Sequence, residues 1–170
     1  MNIPELFTNP TTILYVGASP HRSDLVVPLL DTGHKIILLE RYYPNCKHFY
    51  GSPSFEWVIY GDVLDIWKHQ IPLPIDVCIW WHGPEHVRPS EFVDAVGNLE
   101  LIASSLVVLA SPWGHCPQGD YAGNPHERHM NTLYERDYKR TGYETVTCGE
   151  IDKPPQSDIV AWKWVGGPWR

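Results

Sequence analysis

Thr12-Ile13-Leu14-Tyr15-Val16-Gly17-Ala18-Ser19-Pro20-His21 is an apolar run that stops at a glycine and turns. Lys35-Ile36-Ile37-Leu38-Leu39-Glu40-Arg41 is a second apolar run that stops at an acid. Short apolar runs bounded by turn residues read as buried strands. Between them, Ser23 can cap a helix that runs to Gly33, a good terminator. Pro28 is awkward inside that helix, because proline removes a backbone donor. Strand, helix and strand in this order make one unit of a parallel sheet. Gly17 lets a ligand approach the backbone closely. In nucleotide-binding units an acid about 20 residues further on accepts the ribose hydroxyls. Here Glu40 follows Gly17 by 23 positions. The same two residues also fit a plain turn and a solvated strand end.

The pattern repeats outward. Tyr42–Ser54 is rich in proline, glycine and aromatics and reads as loop. Glu56–Tyr60 reads as a third strand, ending at Gly61-Asp62, and Asp62 can also cap the segment Val63–Trp67. Pro72 and Pro74 break the chain before Ile75–Trp81, the most apolar strand. A helix is expected from Ser90 to Ser104, with Ser90 as its cap and Phe92, Val93, Val96, Leu99 and Ile102 at helical spacing. Leu106–Ala110 is the fifth strand. A polar loop follows over Ser111–Asn131, of a length that is usually functional or mobile. Leu133–Thr141 reads as a short helix closed by Gly142. Glu144–Thr147 and Asp158–Trp164 make a terminal strand pair.

The 170 residues suit one domain with one core. A hydrophobic share of 43% and a charged share of 19% exclude a disordered chain. The net charge is −7 and no run of Lys or Arg occurs, so the phosphate-neutralising footprint of a nucleic-acid binder is missing. Cys46, Cys78, Cys116 and Cys148 form no C-x-x-C pair, which fits a reducing, cytoplasmic compartment. No signal-peptide pattern is seen, and no apolar run approaches the ~18 residues of a membrane span.

Ligands of open α/β sheets bind beyond the carboxyl ends of the strands. The residues expected there are Gly17, Ala18 and Ser19 after the first strand, Glu40 and Arg41 after the second, and Asp62 and Val63 after the third. Trp81, His82, Glu85 and His86 follow the fourth strand, and Ser111, Trp113 and His115 follow the fifth. With 9 histidines, a metal reading takes His82 with His86, or His126 with His129, together with His115-Cys116. No metal is expected, because the H-x-x-x-H pair straddles Gly83-Pro84 and so is not on a helix face.

Trp80-Trp81-His82-Gly83-Pro84-Glu85-His86-Val87 resembles the loop after strand four of small class I S-adenosylmethionine-dependent methyltransferases. Many of these carry an acid followed by His-Val there. Ser111-Pro112-Trp113-Gly114-His115 resembles their turn after strand five. Asn124–His129, the helix near Tyr134 and Gly142-Tyr143 resemble their polar loop, helix and the start of strand six. The resemblance runs from about Thr12 to Trp164. It implies a single Rossmann-like α/β domain of three layers. The sheet would be mostly parallel and seven-stranded, in the order 3-2-1-4-5-7-6, with the last strand antiparallel.

The resemblance also implies S-adenosylmethionine as cofactor. Glu40 would bind the ribose, Asp62 and Val63 the adenine, and Gly17, Ala18, Ser19, Arg41 and Trp81 would complete the pocket. Tyr15 stands where the family has an acid, and Ser19 and His21 stand where it has glycines. A small-molecule acceptor is implied, since no docking extension is evident. The short Met1–Pro10 segment leaves the pocket either open or completed by a second subunit in a homodimer. His82, Glu85, His86, His115 and His129 are candidates for the base that takes the acceptor's proton, with His86 or His115 preferred. Two rivals stand beside this reading. One is a dinucleotide-binding protein in which Arg41 meets a 2′-phosphate, and the other is a scaffold that has the fold without the catalysis.

Overall fold

The computed structural model describes residues 11–21, 33–149 and 157–166. The helix expected over Ser23–Gly33 falls almost wholly outside them. Seven strands form one sheet in the order β3-β2-β1-β4-β5-β7-β6. They are β1 (Thr12–Val16), β2 (Lys35–Glu40), β3 (Trp57–Tyr60), β4 (Ile75–Trp81), β5 (Ala103–Pro112), β6 (Glu144–Gly149) and β7 (Ser157–Trp164). The first five pair in parallel, whereas β7 runs antiparallel to both β5 and β6.

The alternation inside the strands explains the layers. Successive strand residues point to opposite faces. Leu14, Val16, Ile37, Leu39, Cys78 and Trp80 pack on one face with helix α2 (Phe92–Ile102). Ile13, Tyr15, Ile36, Leu38, Val77 and Ile79 pack on the other. A parallel sheet buried on both faces reads as continuous apolar runs, and those runs are what make β1, β2 and β4 legible. Each buried Ile or Leu contributes about 1.5–3 kcal/mol by removal from water.

Four expectations are corrected. Tyr43–Phe49, inside the stretch read as loop, is a helix, α1. Pro44 lies in its first turn, where a missing N–H costs nothing. Helix α2 begins at Phe92 with Glu91 as its N-cap residue, so Ser90 is not the cap. Strand β5 starts at Ala103 and so takes the residues expected to end the helix. It is 10 residues long, because β4 and β7 supply ladder partners along its length. The last helix, α3 (Glu135–Lys139), is shorter than its apolar spacing suggests. Among the described residues no helix is long and apolar enough to cross a membrane.

Candidate functional site

The chain leaves β1 towards β2 and β3, then returns to β4 on the other side of β1. The reversal opens a crevice at the carboxyl ends of β1 and β4, where open α/β sheets bind ligands. A cleft lies there, open to solvent, with about 870 Å³ of empty space once the solvent at its mouth is included. Its walls include Gly17, Ala18, Ser19, Glu40, Arg41, Asp62, Val63, Trp81, His82 and His86, all expected from the sequence.

One end of the cleft is organised by Glu40, which is only 5% exposed. Its Oε2 accepts from the Ala18 backbone N–H at 2.9 Å, and its Oε1 accepts from Tyr42 N–H at 2.6 Å. Asn45 of α1 donates Nδ2–H to the Ala18 carbonyl at 3.1 Å, so the loop after β1 is held from both sides. Gly17 has φ +73°, a conformation that favours glycine, and open space where a Cβ would stand. Burial pushes the Glu40 carboxyl up to about 7, against the pull of the two backbone donors.

Asp62 does two things. Its Oδ1 accepts from Leu64 N–H at 3.0 Å and caps the 3₁₀ turn Val63–Lys68. Its Oδ2 meets Arg41 Nε at 3.0 Å. The Arg41 guanidinium is therefore held by a carboxylate, which weakens the case for it as a receptor for a 2′-phosphate. Asn124, His126 and Glu127 also line the cleft, from the long loop after β5. Sequence reasoning placed no cofactor residue there. The only signal was the length of that loop. Tyr42 ties the loop down by donating its hydroxyl to the Gly123 carbonyl at 3.1 Å.

The other end is built by the turn after β4. His82 has φ +50°, a strained setting for a residue with a Cβ. Gly83 is obligatory, since a Cβ there would fall 1.7 Å from Trp80 Nε1. The turn buries Glu85, which is 3% exposed. The Glu85 backbone carbonyl accepts from Met130 N–H at 2.8 Å and Asn131 N–H at 3.0 Å, which locks the long loop onto the turn. Around its carboxylate stand His82 Nδ1 at 3.4 Å, His86 Nε2 at 3.8 Å and His129 Nε2 at 4.0 Å from Oε1.

His82 also turns Nε2 to Asp158 Oδ2 at 3.5 Å, so both of its nitrogens face carboxylates. Burial opposes charge on that ring, but Asp158 and Glu85 outweigh it and raise its pKa to about 9. Burial holds His129 below the ordinary imidazole value.

The remaining candidates fall elsewhere. His115 is exposed and does not line the cleft. Trp113 donates Nε1–H to Glu135 Oε2 at 3.0 Å and packs edge-on to Tyr134, which is a structural role. Glu85 lies behind His82 and His86 and does not line the cleft itself.

No family model matches the sequence, and no curated protein matches it. Solved structures do. The N-terminal domain of EvdMO1, crystallised in the presence of SAH and D-fucose, superposes with a TM-score of 0.66. It has 16% identity over 96% of this chain and 79% of that one. A SAM-dependent methyltransferase from Archaeoglobus fulgidus gives a TM-score of 0.63, with 17% identity over 92% of this chain and 88% of that one. The magnesium protoporphyrin IX methyltransferase ChlM from Synechocystis, with bound SAH, also gives 0.63, with 11% identity over 97% and 78%. This chain has the class I methyltransferase fold. Within that fold Ala18, in the loop after β1, is held through its N–H by Glu40 and through its carbonyl by Asn45.

Proposed function

We propose that the chain binds S-adenosylmethionine in this cleft and transfers its methyl group to a small-molecule acceptor. The observation that carries the reading is the Glu40 carboxylate. It is buried at the end of β2 beside a glycine turn, and each of its oxygens accepts one backbone N–H. A carboxylate has about four acceptor sites. Lone pairs therefore remain for the two hydroxyls of a ribose, and the open space over Gly17 leaves room for the nucleoside. The donor set fits the cofactor. Fold neighbours crystallised with SAH support the same ligand.

S-adenosylmethionine, when bound, supplies a methyl group on a sulfonium. The protein's part is binding, alignment and exclusion of water. Glu40 accepts from the ribose, Asp62 and Val63 border the adenine, and Ala18 and Ser19 present backbone to the ligand. Arg41 keeps Asp62 oriented. The Asn124–Glu127 turn covers the nucleoside from above. Trp81, His82 and His86 form the acceptor end. His82 is a poor base there because both its nitrogens face carboxylates. His115, outside the cleft, has no reach to a bound acceptor. The acceptor is a small molecule, because the chain is acidic and carries no basic run that would dock a nucleic acid. The wide spacing of the four cysteines, with no C-x-x-C pair, favours a reducing compartment, the cytoplasm.

Calorimetric titration with S-adenosylmethionine and S-adenosylhomocysteine tests this. Micromolar binding that Glu40→Ala and Asp62→Ala both weaken at least tenfold is expected. Absence of binding to either ligand would remove the cofactor from the account.

A further inference from the structure

The turn after β4 and the long loop after β5 bring together three groups that all present lone pairs. His86 Nδ1 lies 3.2 Å from the Arg128 carbonyl, and His129 Nδ1 faces the Cys116 carbonyl. A carbonyl accepts, so each Nδ1 carries the proton and each Nε2 carries a lone pair. Both Nε2 atoms point at Glu85, at 3.8 and 4.0 Å from its Oε1. Both Glu85 oxygens are buried without a hydrogen-bond partner. The three ligand atoms lie within 4.8 Å of one another. His82, with Nδ1 at 3.4 Å from Oε1, already faces the Glu85 carboxylate, but it offers nothing to the Nε2 lone pairs of His86 and His129, which a bound cation between the three groups would satisfy.

We infer that Glu85, His86 and His129 bind one divalent transition-metal ion of the Zn²⁺ class, at the acceptor end of the cleft. Two imidazoles and one carboxylate form a common three-ligand set for such ions. Tetrahedral bonds of about 2.1 Å put ligand atoms about 3.4 Å apart, so the atoms, now within 4.8 Å of one another, would close by at most about 1.4 Å. The two carbonyls behind the imidazoles are the outer partners that orient metal-binding histidines.

The expectation of no metal rested on helix-face spacing within His82–His86. The fold instead pairs His86 with His129 across the loop, and the backbone bonds from Met130 and Asn131 to Glu85 hold that pairing. Of the three ligands His86 alone lines the cleft, so the ion would stand behind that wall, against the acceptor end. His86 is thereby assigned coordination instead of proton transfer. The metal site stands on its own geometry, and only its placement beside an acceptor rests on the proposed function.

The test is titration of the full chain, stripped with a chelator, with Zn²⁺ alone. One ion per chain is expected. His129→Ala should weaken binding at least tenfold, and His48→Ala, an exposed histidine on α1, should leave it unchanged. Near-UV circular dichroism checks the fold of each variant. Should His129→Ala not fold, the visible spectrum of Co²⁺ added to the unaltered chain decides. Intense bands of a low-coordinate, imidazole-bound ion support the site, and the weak spectrum of hydrated Co²⁺ overturns it. No saturable Zn²⁺ binding, or equal loss in the two histidine variants, also overturns it. Zn²⁺ binding in a protein that ignores S-adenosylhomocysteine would leave the metal site standing and remove the cofactor reading.

Discussion

The backbone N–H of Ala18 donates to Oε2 of Glu40 at 2.9 Å, joining the loop after β1 to the end of β2. This bond makes one carboxylate both a structural brace and the proposed ribose acceptor, and its protonation state becomes visible in solution. Burial raises Glu40 to about 7 from an ordinary value of 4.5. The two hydroxyls of a ribose donate to the ionised form. Affinity for S-adenosylhomocysteine should therefore fall as pH drops below about 7, by up to about tenfold per unit. Calorimetry at pH 8, 7 and 6 measures this, and Glu40→Gln should bind weakly with no such slope.

Folding stability of the cofactor-free protein moves the opposite way. A carboxyl whose pKa is raised in the fold takes up a proton on folding. The stability this contributes is fully present below pH 4.5 and is lost as pH rises to about 7. The loss is about 3 kcal/mol in all. Urea denaturation at pH 5 and pH 8 should show a clearly larger fall in the parent protein than in Glu40→Gln, which keeps only the fall due to other groups such as His82, raised to about 9.

Two glycines differ in why they are glycine. At Gly17 a side chain would meet open space, and only the left-handed backbone resists it. Gly17→Ala should cost about 1–2 kcal/mol. At Gly83 a side chain would run into the Trp80 indole. Gly83→Ala should therefore cost at least about 3 kcal/mol, at the upper end of overpacking. It should also disturb the fluorescence of Trp80. Denaturation midpoints rank the two.

Asn45 and Tyr138 separate site from scaffold. Asn45→Ala removes the bond to the Ala18 carbonyl, and should weaken S-adenosylhomocysteine several-fold while costing about 1 kcal/mol of stability. Tyr138 donates its hydroxyl to Ser111 Oγ at 2.6 Å within the core. Tyr138→Phe should cost about 1–2 kcal/mol and leave ligand affinity unchanged. Paired denaturation and calorimetry check both.

The central strands were legible because burial on both faces leaves long apolar runs, as in Ile36–Leu39 and Val77–Trp80. The strand-end residues were legible for the same reason, since a strand that stops at Gly17, Glu40 or Asp62 presents that residue to the crevice. Helix α1 was not legible. Its sequence, Tyr43 to Phe49, is short and proline-bearing, and tertiary packing of Cys46 and Phe49 decides it. The loop contributions of Asn124 and His126 were hidden too. They depend on contacts such as Tyr42 to Gly123, which lie 81 positions apart. The grouping of Glu85 with His86 and His129 has the same origin: no local spacing encodes it.

The most direct measurement is a crystal structure of the protein with S-adenosylhomocysteine. The account predicts the ribose hydroxyls against Glu40, the adenine beside Asp62 and Val63, and the sulfur directed towards Trp81 and His86. Ligand density away from Glu40, or an empty cleft at saturating ligand, would contradict it.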